Sequence, residues 1–177
     1  MIHLKFKVRR TKIARTGGPL LQEQLSVDEL RNCLGIAGSR EQRAKCAARV
    51  IRQRGKYRWV GLYDVGSSEI AVIAWDGPDA PTHPRFPITS GLNGAAVASG
   101  SPVIVQDVTA DPRYLTTLGS TKSEMIVPVR TVDGRVIGTI DVESDRVGAF
   151  TEADRRFLEA CAMVILPLWS SATGRSQ

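Results

Sequence analysis

Two short apolar segments joined by an Asp-Gly pair constrain the fold of this chain more than any other feature. The segments are residues 123–129 and 138–144, and Asp133-Gly134 lies between them. Asp-Gly supplies the positive-φ residues that a tight hairpin turn requires. The pattern therefore predicts two neighbouring antiparallel strands, whose side chains alternate between the two faces of a sheet.

The second of these strands carries two carboxylates on one face. Alternation places Val136, Gly138, Ile140 and Val142 on one face and Ile137, Thr139, Asp141 and Glu143 on the other. Because an isolated buried charge is costly, the carboxylate face must meet either water or a polar ligand. We expect Glu124, at the start of the neighbouring strand, to lie within reach of the pair.

Composition sets the class of protein. With 177 residues, of which 42% are hydrophobic and 24% charged, the chain suits one stable domain. No apolar run approaches the ~18 residues of a membrane span, so we expect no membrane partner. We also expect neither a cofactor nor a metal.

The net charge of +6 is concentrated at the N-terminus, where residues 1–15 hold six Lys or Arg and no acid. We interpret residues 1–21 as a basic arm, either an edge strand or solvated chain, because blocks of like charge usually stay solvated. Contact between this arm and nucleic acid is the less favoured alternative.

The three cysteines lack the spacing of a metal or redox motif. Cys33, Cys46 and Cys161 each fall in a helical pattern beside apolar neighbours, which predicts buried structural thiols. The odd number of cysteines, together with the lack of a signal peptide, indicates a reducing cytoplasm.

Capping and breaking residues outline the other elements. Capping boxes at Ser26 and Ser39 predict two successive helices, and Thr151 predicts a C-terminal helix that Pro167 kinks or ends. Further patterns predict strands at 57–65, 70–75 and 102–105, a small-residue helix at 91–99, and irregular chain at 77–90 and 109–123. The fold class is therefore α+β: one antiparallel sheet, with helices on one face and a loop-covered pocket on the other.

A series of motifs, in order and in spacing, resembles the GAF domain. They are Trp59-Val60-Gly61-Leu62-Tyr63, Gly91-Leu92-Asn93-Gly94, Val105-Gln106-Asp107-Val108, Asp111-Pro112-Arg113-Tyr114, the segments 123–128 and 138–144 described above, and Phe150-Thr151-Glu152-Ala153-Asp154. The resemblance covers about residues 22–170, which leaves 171–177 as a C-terminal tail. It implies a six-stranded antiparallel sheet, helices packed behind it, and a small-molecule pocket in front.

Within GAF domains the chain is most similar to the free methionine-(R)-sulfoxide reductases. The pocket of that group uses an aromatic pair and acidic side chains. The positions that match them here are Trp59, Tyr63, Glu124, Asp141 and Glu143. Glu143 is a departure, because the group usually has an aspartate there. We expect these five residues to line one cavity under the loop formed by residues 111–122.

The catalytic cysteines of that group have no counterpart at the matching positions. These positions hold Asn93 and Thr117, and a third, more loosely aligned, falls near Pro81. The resemblance therefore implies a pocket without the thiol chemistry. Because clustered carboxylates repel each other, we expect a small polar or zwitterionic ligand that brings an ammonium or another hydrogen-bond donor.

Two other functions stay open. One is a divergent enzyme related to the free methionine sulfoxide reductases, and the other is a GAF dimerisation module in signal transduction. A stripe of Phe157, Cys161, Val164 and Leu168 on the last helix suits a homodimer. The same stripe is also what packing on the domain's own sheet requires.

Overall fold

The computed structural model describes residues 19–170 of the chain. The interpretations of residues 1–18 as part of a basic arm and of 171–177 as a tail lie outside the described residues. The elements, in chain order, are α1 (Pro19–Leu34), α2 (Arg40–Gly55), β1 (Trp59–Val65), β2 (Glu69–Asp76), β3 (Arg85–Pro87), α3 (Gly91–Ser99), β4 (Val103–Val105), β5 (Ser123–Arg130), β6 (Val136–Ser144), α4 (Glu152–Ile165) and α5 (Pro167–Ser170). None of the helices in this part of the chain is long and apolar enough to cross a membrane.

The strands form one six-stranded sheet in the order β3-β2-β1-β6-β5-β4. Every neighbouring pair is antiparallel, which confirms the predicted fold class. The predicted hairpin is the β5–β6 pair, and β1 pairs with the other edge of β6. The strand that carries Asp141 and Glu143 is therefore central and is flanked by β1 and β5.

The main hydrophobic core lies on the helix side of the sheet. Buried residues of α2 and α4, such as Ile51, Leu158 and Ile165, pack there against Leu62 and Ile140 of the sheet. Ser39 forms the predicted capping box with Gln42. Thr151 is the predicted N-cap of α4, and it forms a capping box with Asp154 as well. The apolar side chains of the central strands point toward this core. The residues that alternate with them, including the acids of β5 and β6, therefore point to the opposite face of the sheet.

The stripe predicted on the last helix spans α4 and α5, and it is used within the domain. Cys161 and Leu168 are buried in the helix-side core, and Phe157 and Val164 pack against it. The predicted interruption at Pro167 is present, because α4 ends at Ile165 and α5 begins at the proline.

Two details of the elements differ from the predictions. The first helix begins at Pro19 and continues through Ser26, so the predicted start at Ser26 is wrong. The proline-rich segment 77–90 contains the short strand β3, which ends at Pro87. Proline is tolerated there because β3 is an edge strand, and the backbone on its outer edge makes no hydrogen bonds to a neighbouring strand.

The prediction that Cys33 and Cys46 are thiols is wrong, because the two residues form a disulfide between α1 and α2. Helical periodicity reports on one helix at a time and does not give the distance between two helices. Cys161 is buried, with 2% of its surface exposed, as predicted. The argument that led from thiols to a reducing compartment therefore no longer holds.

Candidate ligand-binding site

Strand register brings the five predicted site residues onto adjoining rows of one sheet face. Trp59 on β1 and Glu124 on β5 both lie directly opposite Glu143 on β6. Asp141 lies one row further along β6, opposite Gly61, and Tyr63 lies one row beyond that. Directly opposed residues of antiparallel strands project to the same face, so the aromatic and acidic side chains share one side of the sheet.

The aromatic pair forms one wall of this face. The ring centroids of Trp59 and Tyr63 are 6.5 Å apart, and Tyr63 meets Phe86 edge-on at 5.8 Å. Gly61 lies between the two rings. A Cβ atom there would overlap the Trp59 ring and come within 2.8 Å of Tyr63 Cε2. The absence of a side chain at Gly61 is therefore what allows both rings to lie on this face.

Three carboxylates are buried next to this wall. The exposed fraction is 2% for Glu124, 1% for Asp141 and 0% for Glu143. None of the ion pairs between described residues includes any of the three. Buried carboxylates without a cation are expensive, so the remaining polar contacts decide how they are tolerated.

Asn93 of α3 supplies the hydrogen bonds around Asp141. Its side-chain amide donates to Asp141 Oδ2 at 2.9 Å, and its carbonyl oxygen accepts from the Thr139 hydroxyl at 2.5 Å. The Thr121 hydroxyl donates to Glu143 Oε2. The α3 helix and the loop before β5 thus reach across the sheet face and hold two of the three carboxylates.

Each of the three carboxylates keeps one buried oxygen without a hydrogen-bond partner among the described residues. These atoms are Glu124 Oε2, Asp141 Oδ1 and Glu143 Oε1. Leaving a buried acceptor unsatisfied costs about 1–3 kcal/mol, and more when the group is charged. Three such atoms on one face therefore make the site a strong acceptor for hydrogen-bond donors.

Burial and mutual repulsion both favour the protonated forms of these acids. Burial raises the pKa of Glu124 and of Asp141 well above the usual range, and the neighbouring carboxylates raise it further. Burial also raises the pKa of Glu143 to about 7, although hydrogen bonds from Thr121 and Thr117 act in the opposite direction. At neutral pH the cluster therefore retains protons unless another positive group takes their place.

A small cavity of about 10 Å³ lies beside the cluster, enough space for about one water molecule. Among the predicted site residues, Tyr63 and Glu124 line it, and Trp59, Asp141 and Glu143 do not. Its lining also includes Asn93, Thr117 and His83. The two positions that match the cysteines of the reductase group thus face the same cavity.

The loop formed by residues 111–122 lies over this face. Leu118 is buried in the cluster that contains Trp59 and Tyr63. The backbone N–H and the hydroxyl of Thr82 both donate to the Thr117 carbonyl oxygen, at 3.1 Å and 2.7 Å. Two loops that are distant in sequence are therefore joined over the site.

Some residues of the site were not predicted from the sequence. The hydrogen bonds of Asn93 and Thr121 and the position of His83 depend on how α3 and the loops pack, and no local sequence pattern reports on that packing. Thr139 is different, because alternation already places it on the face of Asp141. Within residues 19–170, no group of three or more His, Cys, Asp or Glu is arranged to hold a metal ion.

The sheet order, the helix layer and the loop-covered polar face define a GAF-like α+β domain. The GAF domain sequence family matches residues 44–165, more than half of the chain. The chain therefore belongs to the GAF domain family.

Similarity to individual proteins points in the same direction. The chain is 30% identical to GAF domain-containing protein A of Dictyostelium discoideum over 126 residues, which cover 70% of this chain and 78% of that protein. It is 32% identical to the free methionine-R-sulfoxide reductase of Saccharomyces cerevisiae over 110 residues, 60% of each protein. The X-ray structure of free methionine-R-sulfoxide reductase from Neisseria meningitidis in complex with its substrate matches with a TM-score of 0.74 and 27% identity, covering 84% of this chain and 89% of that one.

Proposed function

We propose that this protein is a sensor-type GAF domain that binds a small polar or zwitterionic molecule through Glu124, Asp141 and Glu143. The observation that carries the proposal is the single unpartnered buried oxygen on each carboxylate. A primary ammonium offers three N–H donors and a positive charge, so it matches the three acceptor oxygens and can take the place of the protons that the acids otherwise retain.

The aromatic wall suits the remainder of such a ligand. Trp59 and Tyr63 are almost fully buried, with 0% and 1% of their surfaces exposed, and they lie in the rows next to the acids. Aromatic faces bind apolar groups and also attract cations, by about 0.5–2 kcal/mol. An ammonium beside an aliphatic chain would therefore meet complementary surfaces.

Entry of a ligand requires the covering loops to move. A cavity of about 10 Å³ is far smaller than the roughly 300–1,000 Å³ of ordinary small-molecule sites. The loop formed by residues 111–122 is the element that would open, because Thr117 and Leu118 cover the site. Its contacts with Thr82 would break and re-form in each binding event.

A screen by thermal denaturation tests this proposal. The compounds would be amino acids, their sulfoxides, nucleotides and cyclic nucleotides, tested on the wild type, on Asp141→Asn and on Glu41→Gln as an exposed control. A ligand present at 100 times its dissociation constant stabilises the protein by about 2.7 kcal/mol. We expect an ammonium-bearing compound to stabilise the wild type and the control and to stabilise Asp141→Asn much less. Equal stabilisation of all three proteins would contradict the proposal.

The second candidate is a divergent free methionine sulfoxide reductase, which the similarity to the enzymes of that name favours. The cysteine positions support binding without thiol chemistry. Cys33 and Cys46 are joined to each other between α1 and α2, and Cys161 lies in the helix-side core. At the cavity, Asn93 and Thr117 supply no thiolate.

An activity assay separates the two candidates. We expect no consumption of free methionine-(R)-sulfoxide in the presence of dithiothreitol or thioredoxin, measured by chromatography. Turnover that a Cys33→Ser, Cys46→Ser or Cys161→Ser substitution abolishes would establish the enzyme instead. A homodimer with a role in signalling is a further proposal, and the burial of the stripe of α4 and α5 in the domain's own core lends it less support.

A further inference from the structure

A second concave surface, here called the basic groove, lies at the end of the sheet where β1 begins and β6 ends. It is lined by Arg52, by residues 56–58, by Gly77 and Pro78, and by residues 144–146, and its volume is about 550 Å³. This volume falls within the roughly 300–1,000 Å³ of small-molecule sites. Three separate chain segments therefore converge on a space that no part of the proposed function uses.

The charges around the basic groove are strongly unbalanced. Its lining contains four cations, Arg52, Lys56, Arg58 and Arg146, and one carboxylate, that of Asp145. Arg52 is already engaged, because its Nε donates to Asp76. Three cationic side chains thus remain beside one carboxylate, which gives the groove a positive potential.

Arg58 is the cation best suited to hold a ligand there. Its Nη1 donates to Asp145 Oδ2 at 3.2 Å, longer than the roughly 2.7–2.9 Å of a strong charge-assisted hydrogen bond. Its buried Nε has no hydrogen-bond partner among the described residues. The Asp145 side chain is 52% exposed, so solvent screens this pair. Because a guanidinium presents its donors as a planar fork, a bidentate anion fits Arg58 better than this single long contact does.

The dipole of α2 explains the presence of only two of the four cations around the basic groove. Arg52 and Lys56 lie at the C-terminus of α2, where cations offset the negative end of the helix dipole. Arg58 and Arg146 belong to the segments before β1 and after β6, so the dipole gives no reason for them. Gly77 is required for a different reason, since a Cβ atom there would overlap the Trp59 ring.

We propose that the basic groove is an anion-binding site that takes the phosphate group of a small molecule. The Arg58 guanidinium binds the phosphate oxygens, and Lys56 and Arg146 add positive charge. This groove is lined by other residues than the carboxylate cluster, although the positive charge of Arg58 lowers the pKa of Glu143. Its ligand is an anion and not an ammonium compound, so Arg146→Glu, which leaves Arg58 in place, tests it apart from the proposed function.

Calorimetric titration with inorganic pyrophosphate tests this assignment at physiological ionic strength, where nonspecific attraction between exposed charges is largely screened. The informative variant is Arg146→Glu, because Arg146 is exposed and its replacement should leave the fold intact. The matched control is Arg135→Glu, which makes the same charge change at an exposed position near the other end of β6. Arg58→Gln removes the guanidinium fork itself.

We expect saturable binding that Arg146→Glu and Arg58→Gln each weaken by about tenfold or more, equivalent to about 1.4 kcal/mol, and that Arg135→Glu changes by less than about twofold. Melting temperatures would show that each variant is folded. Absence of saturable binding up to about 10 mM, a concentration that corresponds to only weak affinity, would overturn the proposal. So would an equal loss of affinity in Arg135→Glu, because the attraction would then depend on net charge alone.

Discussion

Glu143 is a fully buried acid whose pKa is raised to about 7, mainly by burial. The pKa of a glutamate in an unfolded chain is about 4.3. Because the folded-state value is the higher one, the stabilising contribution of Glu143 is complete below about pH 4 and is lost as the pH rises through 7. The raised pKa values of Glu124 and Asp141 act in the same direction.

We therefore predict that the free energy of unfolding falls between pH 5 and pH 8. Glu143→Gln carries no charge at any pH and should be more stable than the wild type at pH 8, by on the order of 2–3 kcal/mol. Urea denaturation at several pH values measures this, with Glu41→Gln as the exposed control. If Glu143→Gln were no more stable than the wild type at pH 8, burial would not be what raises the pKa of this acid.

Gly61 leaves the space that the Trp59 and Tyr63 rings occupy, so we predict that a side chain at this position destabilises the protein. Replacing it with alanine would drive a methyl group into the Trp59 ring, and overpacking of this kind typically costs about 1–3 kcal/mol. Gly119→Ala is the matched control, because a Cβ atom there meets nothing within 4 Å. Thermal denaturation should show a clear loss for Gly61→Ala and almost none for Gly119→Ala. Equal melting temperatures would show that the aromatic pair does not depend on Gly61.

At the scale of elements, the disulfide joins α1 to α2 across a sequence separation of 13 residues. A loop of about this length is expected to contribute roughly 3 kcal/mol to stability, chiefly by restricting the unfolded chain. We predict that dithiothreitol lowers the free energy of unfolding of the wild type by about that amount. The double variant Cys33→Ser with Cys46→Ser should be equally destabilised, and the reductant should not change it further. A wild type that dithiothreitol leaves unaffected would contradict this prediction.

The β5–β6 hairpin shows what local sequence rules could predict. Alternation placed Asp141 and Glu143 on one face, and pairing brought Glu124 directly opposite Glu143. The prediction failed for Ile137, which packs against the helix-side core. Near the turn, Arg130 pairs with Val136 while Val129 pairs with Gly138, so one residue of β6 is left over and the alternation is interrupted there.

Contacts between elements that are distant in sequence could not be predicted from alternation and strand pairing. The hydrogen bond from Asn93 to Asp141 requires α3 to lie over β6, and the Cys33–Cys46 disulfide requires α1 to lie beside α2. Both depend on packing between elements, whereas sequence patterns report on the face of a single element. The family resemblance predicted the six-stranded sheet. It identified Asn93 only as a position that lacks the cysteine of the reductase group, and it did not predict the hydrogen bond to Asp141.

At the scale of the whole molecule, the two faces of the sheet differ in character. The helix side is a continuous apolar core. The other side holds aromatic residues, three buried acids and a covering loop. Such a polar interior lowers stability, since buried charges are tolerated only with partners. We interpret this cost as the consequence of maintaining a binding site for an ammonium-bearing ligand.

Whether the buried acids bind an ammonium is tested by calorimetric titration with an ammonium-bearing compound that stabilises the protein and with its N-acetyl derivative. Acetylation removes the positive charge and leaves the rest of the compound in place. We predict that the wild type binds the N-acetyl derivative at least about tenfold more weakly, a difference of about 1.4 kcal/mol. We also predict that Asp141→Asn, which keeps only two of the three carboxylates, discriminates less between the two compounds. If the wild type bound both compounds equally well, the buried carboxylates would not be the ligand's partners.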